Sequence, residues 1–130
     1  MCYFKSGFLA LGVLLFLNCR GQSSESIELI TAEEMKAISK IDGIQLVDVR
    51  TPGEYKKGHL ANALNVDFLD AKFESNIQKL DKTKPVIVYC QRGGRSAKCA
   101  SKLIANGFTK VYDLEGGFAQ WEYNGLEFEN

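Results

Sequence analysis

Histidine is nearly missing from this chain, and so is any surplus of charge. Among 130 residues the only imidazole is His59. No Cys/His zinc spacing can be assembled from it, and no CxxC pair stands in its place. Neither a metal nor a cofactor is expected. The 16 Lys and Arg are matched by 16 Asp and Glu, with no basic block or stripe, so nucleic-acid binding has no electrostatic footprint. No internal repeat is visible, and the length admits one domain with a core of its own.

Cysteine is sparse and unevenly placed. Cys2 and Cys19 belong to an N-terminal stretch that does not read as part of a fold. Lys5 precedes an apolar run from Gly7 to Leu17, too short for a comfortable membrane span but laid out as a secretory signal. Leucine-rich sequence leading into Cys19 resembles a bacterial lipoprotein signal, in which that cysteine becomes the lipidated N-terminus. Asn18 departs from the small residue usual before such a cysteine. The alternative is an uncleaved anchor helix; on either reading the domain is exported and sits at a membrane surface. The expected organisation is a signal over 1–18, a polar tether over 19–26 and a domain over 27–130. The expected location is periplasmic, with the lipid anchor as the sole membrane contact.

Along the domain, short strands alternate with helical stretches. Ile27–Ile30 predicts an edge strand, and Thr31-Ala32-Glu33-Glu34 has the form of a capping box, which starts a helix at Ala32 with Met35 and Ile38 on its apolar side. Ile44–Val49 predicts a central strand, Pro52 suits the first turn of a short helix, and a turn and short strand follow over 58–66. Residues 68–80 predict a helix with Phe73, Ile77 and Leu80 on one face. Strand 86–90, helix 95–106 closed by Gly107, strand 110–114 and a terminal helix carrying Trp121 complete the chain. This alternation predicts an α/β fold with a central parallel sheet and helices on both faces. In such sheets ligands bind beyond the carboxyl ends of the strands, where Cys90 and the run Asp48-Val49-Arg50 both fall.

Chemistry concentrates at Cys90-Gln91-Arg92-Gly93-Gly94-Arg95-Ser96. A cysteine at a strand end, a tight glycine loop and a helix start turn backbone N–H groups and the positive end of a helix toward one point. An ordinary thiol titrates near pH ~8.5, and such surroundings lower it, giving more nucleophilic thiolate. A cysteine serving only to pack the core has no use for two glycines and two arginines after it. Cys99, four residues before Leu103 on the predicted helix, is expected to be a packing residue and not a disulfide partner for Cys90.

Three blocks carry a family resemblance: Leu46–Val66, with Asp48, Arg50 and Glu54; Val88–Ser96, with the cysteine loop; and Leu114–Trp121, with Gly116-Gly117. Together they resemble the single-domain rhodaneses, a sulfurtransferase family. That resemblance implies a rhodanese-like fold and a persulfide on Cys90, loaded from a donor such as thiosulfate and discharged to cyanide or a thiol. Gln91, Arg92, Gly93, Gly94, Arg95 and Ser96 are expected to ring the persulfide. Arg92 is expected to face solvent and substrate, and Arg95 to point partly inward and shape the loop. Asp48 and Arg50 are expected as an ion pair or cap holding the loop together, the alternative being that they line the pocket's rim, and Glu54 is expected as a partner for Arg50. His59 is expected to bond backbone in its turn, and Gly116-Gly117 to let the chain pass close to the loop. Phe118 and Trp121 are expected in the core.

Cysteine phosphatases, including those sharing this fold, place five residues between cysteine and arginine. Here four intervene between Cys90 and Arg95, a smaller ring suited to one sulfur atom. A phosphatase or arsenate reductase of the same fold, and a persulfide-binding module without turnover, remain the alternatives.

Overall fold

In the computed structural model, residues 25–130 are described. The signal over 1–18, the Cys19 lipidation site and most of the tether lie outside the described residues. The elements run β1 (Ser26–Ile30), α1 (Ala32–Ile38), β2 (Gln45–Asp48), α2 (Pro52–Lys57), β3 (Leu64–Asn65), α3 (Phe73–Ile77), β4 (Val86–Tyr89), α4 (Gly94–Ala105), β5 (Lys110–Leu114) and α5 (Gly117–Tyr123).

Five strands, all parallel, form one sheet in the order β1-β5-β4-β2-β3. β4 lies at its centre, and all four of its residues are buried, as a strand covered on both faces requires. Its alternation feeds two cores. Val86, Val88 and Cys90 pack with Val47, Val111 and the α3–α4 layer, including Phe73, Ile77, Cys99 and Leu103. Ile87 and Tyr89 face the other way, toward Ile30, Met35, Leu60 and Phe118, which brings α1 and α5 against the opposite face.

Local chemistry sets the helix starts. Thr31 Oγ1 accepts from the Glu34 N–H while the Glu34 carboxylate accepts from the Thr31 N–H, the reciprocal cap expected for α1. Thr51 and Glu54 make the same box at α2, behind Pro52. β1 begins at Ser26, one residue before the strand expected from the sequence.

The helix expected over 68–80 is shorter than its hydrophobic pattern suggested. Asp67 Oδ1 accepts from the Leu69 N–H and Asp70 Oδ1 from the Lys72 N–H, both at 2.9 Å, and these local turns hold the chain out of the helix until Phe73. The buried face Phe73, Ile77 and Leu80 is as the pattern predicted.

Candidate active site

β4 delivers Cys90 to the carboxyl edge of the sheet, and the following residues curl back over its sulfur. Gly93 makes that curl possible: its φ of 111° lies in the left-handed region open to glycine, and it serves as N-cap of α4. From there the Gly93 N–H donates to Cys90 Sγ at 3.0 Å. Cys90 Sγ also lies 3.5 Å from Ser96 Oγ, one turn into α4. Burial pushes the thiol up, but the Ser96 hydroxyl and the N–H groups of Ser96, Gly93 and Arg92 outweigh it and hold the Cys90 thiol below its ordinary value. The positive end of α4 acts in the same direction. The site is built to keep a sulfur anion.

The loop is braced on two sides. Arg95 donates from both terminal nitrogens to the two carboxylate oxygens of Glu54, each at 2.8 Å. The Arg95 guanidinium, seconded by the Thr51 cap, pulls the Glu54 carboxyl down to about 2 against the cost of burial. Glu54 had been expected to pair with Arg50. Arg50 is instead taken by Asp48, with Nη2 to Oδ2 at 2.6 Å and Nε to Oδ1 at 3.0 Å, both side chains almost wholly buried. Arg50 also donates to Gly58 O at 2.7 Å and to Gln91 Oε1 at 3.1 Å. Its Cζ stands 4.2 Å from the centre of the Phe118 ring. The Gln91 side chain is thereby turned toward Arg50. Asn65, which carried no signal in the sequence, adds Nδ2 bonds to Asp48 O at 3.1 Å and Arg50 O at 2.8 Å, fixing the end of β2.

α5 closes the back of the loop. The N–H groups of Phe118 and Ala119 donate to Cys90 O at 2.8 Å and Gln91 O at 3.0 Å. This approach is open only because Gly117 has no side chain: a Cβ there would stand 2.8 Å from the Gln91 carbonyl carbon and closer still to Cys90 O. The close pass expected of Gly116-Gly117 is made at Gly117, whereas a Cβ at Gly116 would meet Gln120 and not the loop. Phe118 is buried as expected and also walls a cavity of about 320 Å³ beside the loop, with Arg50, Glu54, Lys57, Gln91 and Glu122. Lys57 and Glu122, exposed charges at its rim, had no motif to betray them.

Arg92 is exposed at the loop tip, and Gly94 opens α4. Cys99 is free and fully buried, and burial pushes its thiol up to about 12. Cys90 is likewise free. His59 Nδ1 lies 3.0 Å from Tyr55 O and its ring stacks on Tyr55 at 3.7 Å, a turn-holding role. Among the described residues no group of acidic, histidine and cysteine side chains is placed to hold a metal ion.

The family model described as Rhodanese-like domain matches residues 31–124. "Thiosulfate sulfurtransferase GlpE" of Coxiella burnetii is 41% identical over 90 residues, covering 69% of this chain and 81% of that protein. "Uncharacterized protein YqhL" of Bacillus subtilis is 39% identical over 95 residues, covering 73% and 72%. Among solved structures, a rhodanese-like domain protein from Staphylococcus aureus superposes with a TM-score of 0.67 at 32% identity, covering 79% of this chain and 99% of that one. A rhodanese-related protein from Thermoplasma volcanium gives 0.70 at 27% identity, covering 78% and 97%.

Proposed function

Since the chain belongs to the rhodanese-like domain family, we propose that it is a sulfurtransferase that carries sulfane sulfur on Cys90. The observation that carries this reading is the hydrogen-bond collar on Cys90 Sγ, in which Gly93 N–H stands 3.0 Å from the sulfur. The Cys90 thiolate attacks the outer sulfur of thiosulfate. A new S–S bond forms, the bond to the sulfonate sulfur breaks, and sulfite leaves with its electron pair. The terminal sulfur of the resulting persulfide takes up the charge, where loop N–H groups and the start of α4 stabilise it. A thiolate or cyanide then attacks that outer sulfur, and the Cys90 thiolate leaves. Arg92, exposed at the loop tip, attracts the anionic donor. The relatives named thiosulfate sulfurtransferases support the choice of donor. Export as a lipoprotein through Cys19 is part of the same proposal, supported by the apolar run that precedes it.

Incubation with thiosulfate followed by intact-mass measurement tests the reading. The expected result is a gain of one sulfur atom that cyanide removes and that Cys90→Ser does not show. An unchanged mass, together with hydrolysis of an aryl phosphate or reduction of arsenate, would overturn it in favour of oxyanion chemistry.

A further inference from the structure

The chain after α5 takes no part in the steps above, yet it returns to the active site. The Leu126 N–H donates to Trp121 O at 3.3 Å, and Trp121 Nε1 donates to Glu127 O at 2.9 Å, which turns the chain back along α5. Glu129 and His59 then exchange both backbone hydrogen bonds, each at 2.8 Å, as an antiparallel bridge beside Gly58, the C-cap of α2. Residues 126–129 thus strap the end of α5 to the end of α2.

The strap carries Phe128 onto Gly58. A Cβ on Gly58 would stand 2.8 Å from Phe128 Cε2 and 3.2 Å from Phe118 Cζ, so both rings use the space that the glycine leaves open. The rings meet edge to face, with centres 5.2 Å apart and planes at 73°. From Phe118 the contacts run inward without a gap. Its ring lies 4.2 Å from Arg50 Cζ, Arg50 donates to Gly58 O at 2.7 Å and to Gln91 Oε1 at 3.1 Å, and the Phe118 N–H donates to Cys90 O at 2.8 Å. Phe118, Arg50 and Gln91 are walls of the cavity of about 320 Å³ beside the loop, and Phe128 stands behind them, outside its lining.

That cavity offers far more room than cyanide fills, and it has an aromatic wall. Lys57 and Glu122 stand at its rim, exposed and of opposite charge. Neither belongs to an ion pair among the described residues. An apolar wall with a few charges at its edge suits an organic molecule held by its body and oriented by its ends. The matching acceptor is a small thiol bearing both a carboxylate and an ammonium group.

We propose that Phe128 is a positioning residue for the acceptor: by holding Phe118 against Arg50 it shapes the cavity that seats a zwitterionic thiol. The inference rests on Cys90 carrying the sulfur in the proposed transfer. In discharge the acceptor thiolate forms an S–S bond to the outer sulfur of the persulfide, and the Cys90 thiolate leaves with the electron pair of the broken bond. Cyanide makes the same attack but needs no seat for an organic body.

The test compares reduced glutathione, cyanide and uncharged 2-mercaptoethanol as acceptors for the full chain at saturating thiosulfate. Phe128→Ala should raise the KM for glutathione about 3- to 10-fold and leave the cyanide reaction within about two-fold of the wild type. Phe128→Tyr keeps the ring, with its hydroxyl free to reach solvent from a side chain already 38% exposed, and should restore the wild-type KM. In a Phe118→Leu background Phe128→Ala should add nothing, because the two act through one contact. Lys57→Gln and Glu122→Gln should each raise the KM for glutathione and leave that for 2-mercaptoethanol in place. A loss shared equally by cyanide and glutathione would make the strap merely structural and overturns the proposal; so does a glutathione KM that Phe128→Ala or both charge variants leave unmoved. Should Phe128→Ala fail to fold, Phe128→Leu, which keeps apolar bulk without the ring, makes the same comparison. Absence of sulfur uptake from thiosulfate would strike the proposed function instead. S-methylglutathione, which has no thiol to react, then judges the cavity: it should shield Cys90 from iodoacetamide, and at a lower concentration in the wild type than in Phe128→Ala. No shielding in the wild type overturns the inference.

Discussion

Arg95 and Glu54, 41 positions apart in the chain, meet through two parallel bonds of 2.8 Å. The same Glu54 carboxylate accepts from the N–H and hydroxyl of Thr51 at the head of α2. One acid thus fastens the sulfur-holding loop to the neighbouring helix start. The charge of Arg95 is spent on that fastening, and Arg92 is the exposed cation of the loop.

Glu54→Gln separates the ion pair from the cap, since glutamine can still close a capping box. The paired side chains are 24% and 32% exposed, so solvent screening holds the loss to about 1 kcal/mol. Because the folded carboxyl titrates near about 2 and the free one at 4.5, this stabilisation is present above 4.5 and disappears as pH falls toward about 2. Urea unfolding at pH 6 and at pH 2 checks the sign: the wild type and Glu54→Gln should differ at the higher pH and converge at the lower. A gap that persists at the lower pH would mean that the pair is not the source.

The two cysteines of the domain should part company in solution. The Cys90 thiol is held low by its donors, whereas burial sends Cys99 up to about 12. Iodoacetamide at neutral pH is expected to modify Cys90 and to reach Cys99 only after unfolding, as peptide mass mapping would show. Cys99→Ser should leave sulfur uptake largely intact; a large loss would point to a resolving thiol.

Much of this site was legible because its signals are local. The glycines after Cys90, the capping box at Thr31 and the Gly116-Gly117 pair each state a backbone requirement within a few residues. The Thr51–Glu54 box has the same form and passed unread, Glu54 being expected as a partner for Arg50. What broke that pairing is three-dimensional: Asp48 captures Arg50 inside the fold, and the loop brings Arg95 across to Glu54. The length of α3 was hidden for a different reason. A hydrophobic period survives in a segment whose first residues are held in turns by Asp67 and Asp70.

Gly117→Ala should damage the loop from behind. Its φ of 59° already disfavours a side chain, and the added Cβ would press on the Cys90 and Gln91 carbonyls that Phe118 and Ala119 bond. Left-handed strain and the displaced bonds together should cost about 2–4 kcal/mol, seen as an earlier denaturant midpoint, and sulfur uptake should fall with it. A variant that keeps full stability and uptake would show that α5 can retreat without moving Cys90.

Arg50 and Arg92 carry the same charge and should fail in opposite ways. Arg50 is 2% exposed, and removing it as Arg50→Met strands the Asp48 carboxylate in the core and leaves Gly58 O unpaired. Such breakage of a buried pair costs about 3–5 kcal/mol, and pairing it with Asp48→Leu should recover much of the loss, since two apolar side chains leave no charge behind. Arg92, exposed and outside every ion pair among the described residues, has no such debt. Arg92→Ala should leave the denaturant midpoint within about 0.5 kcal/mol of the wild type. Its effect should fall on the approach of the donor, raising the apparent KM for thiosulfate more than it lowers kcat. Equal losses in kcat and kcat/KM would instead place the Arg92 guanidinium on the departing sulfite in the transition state.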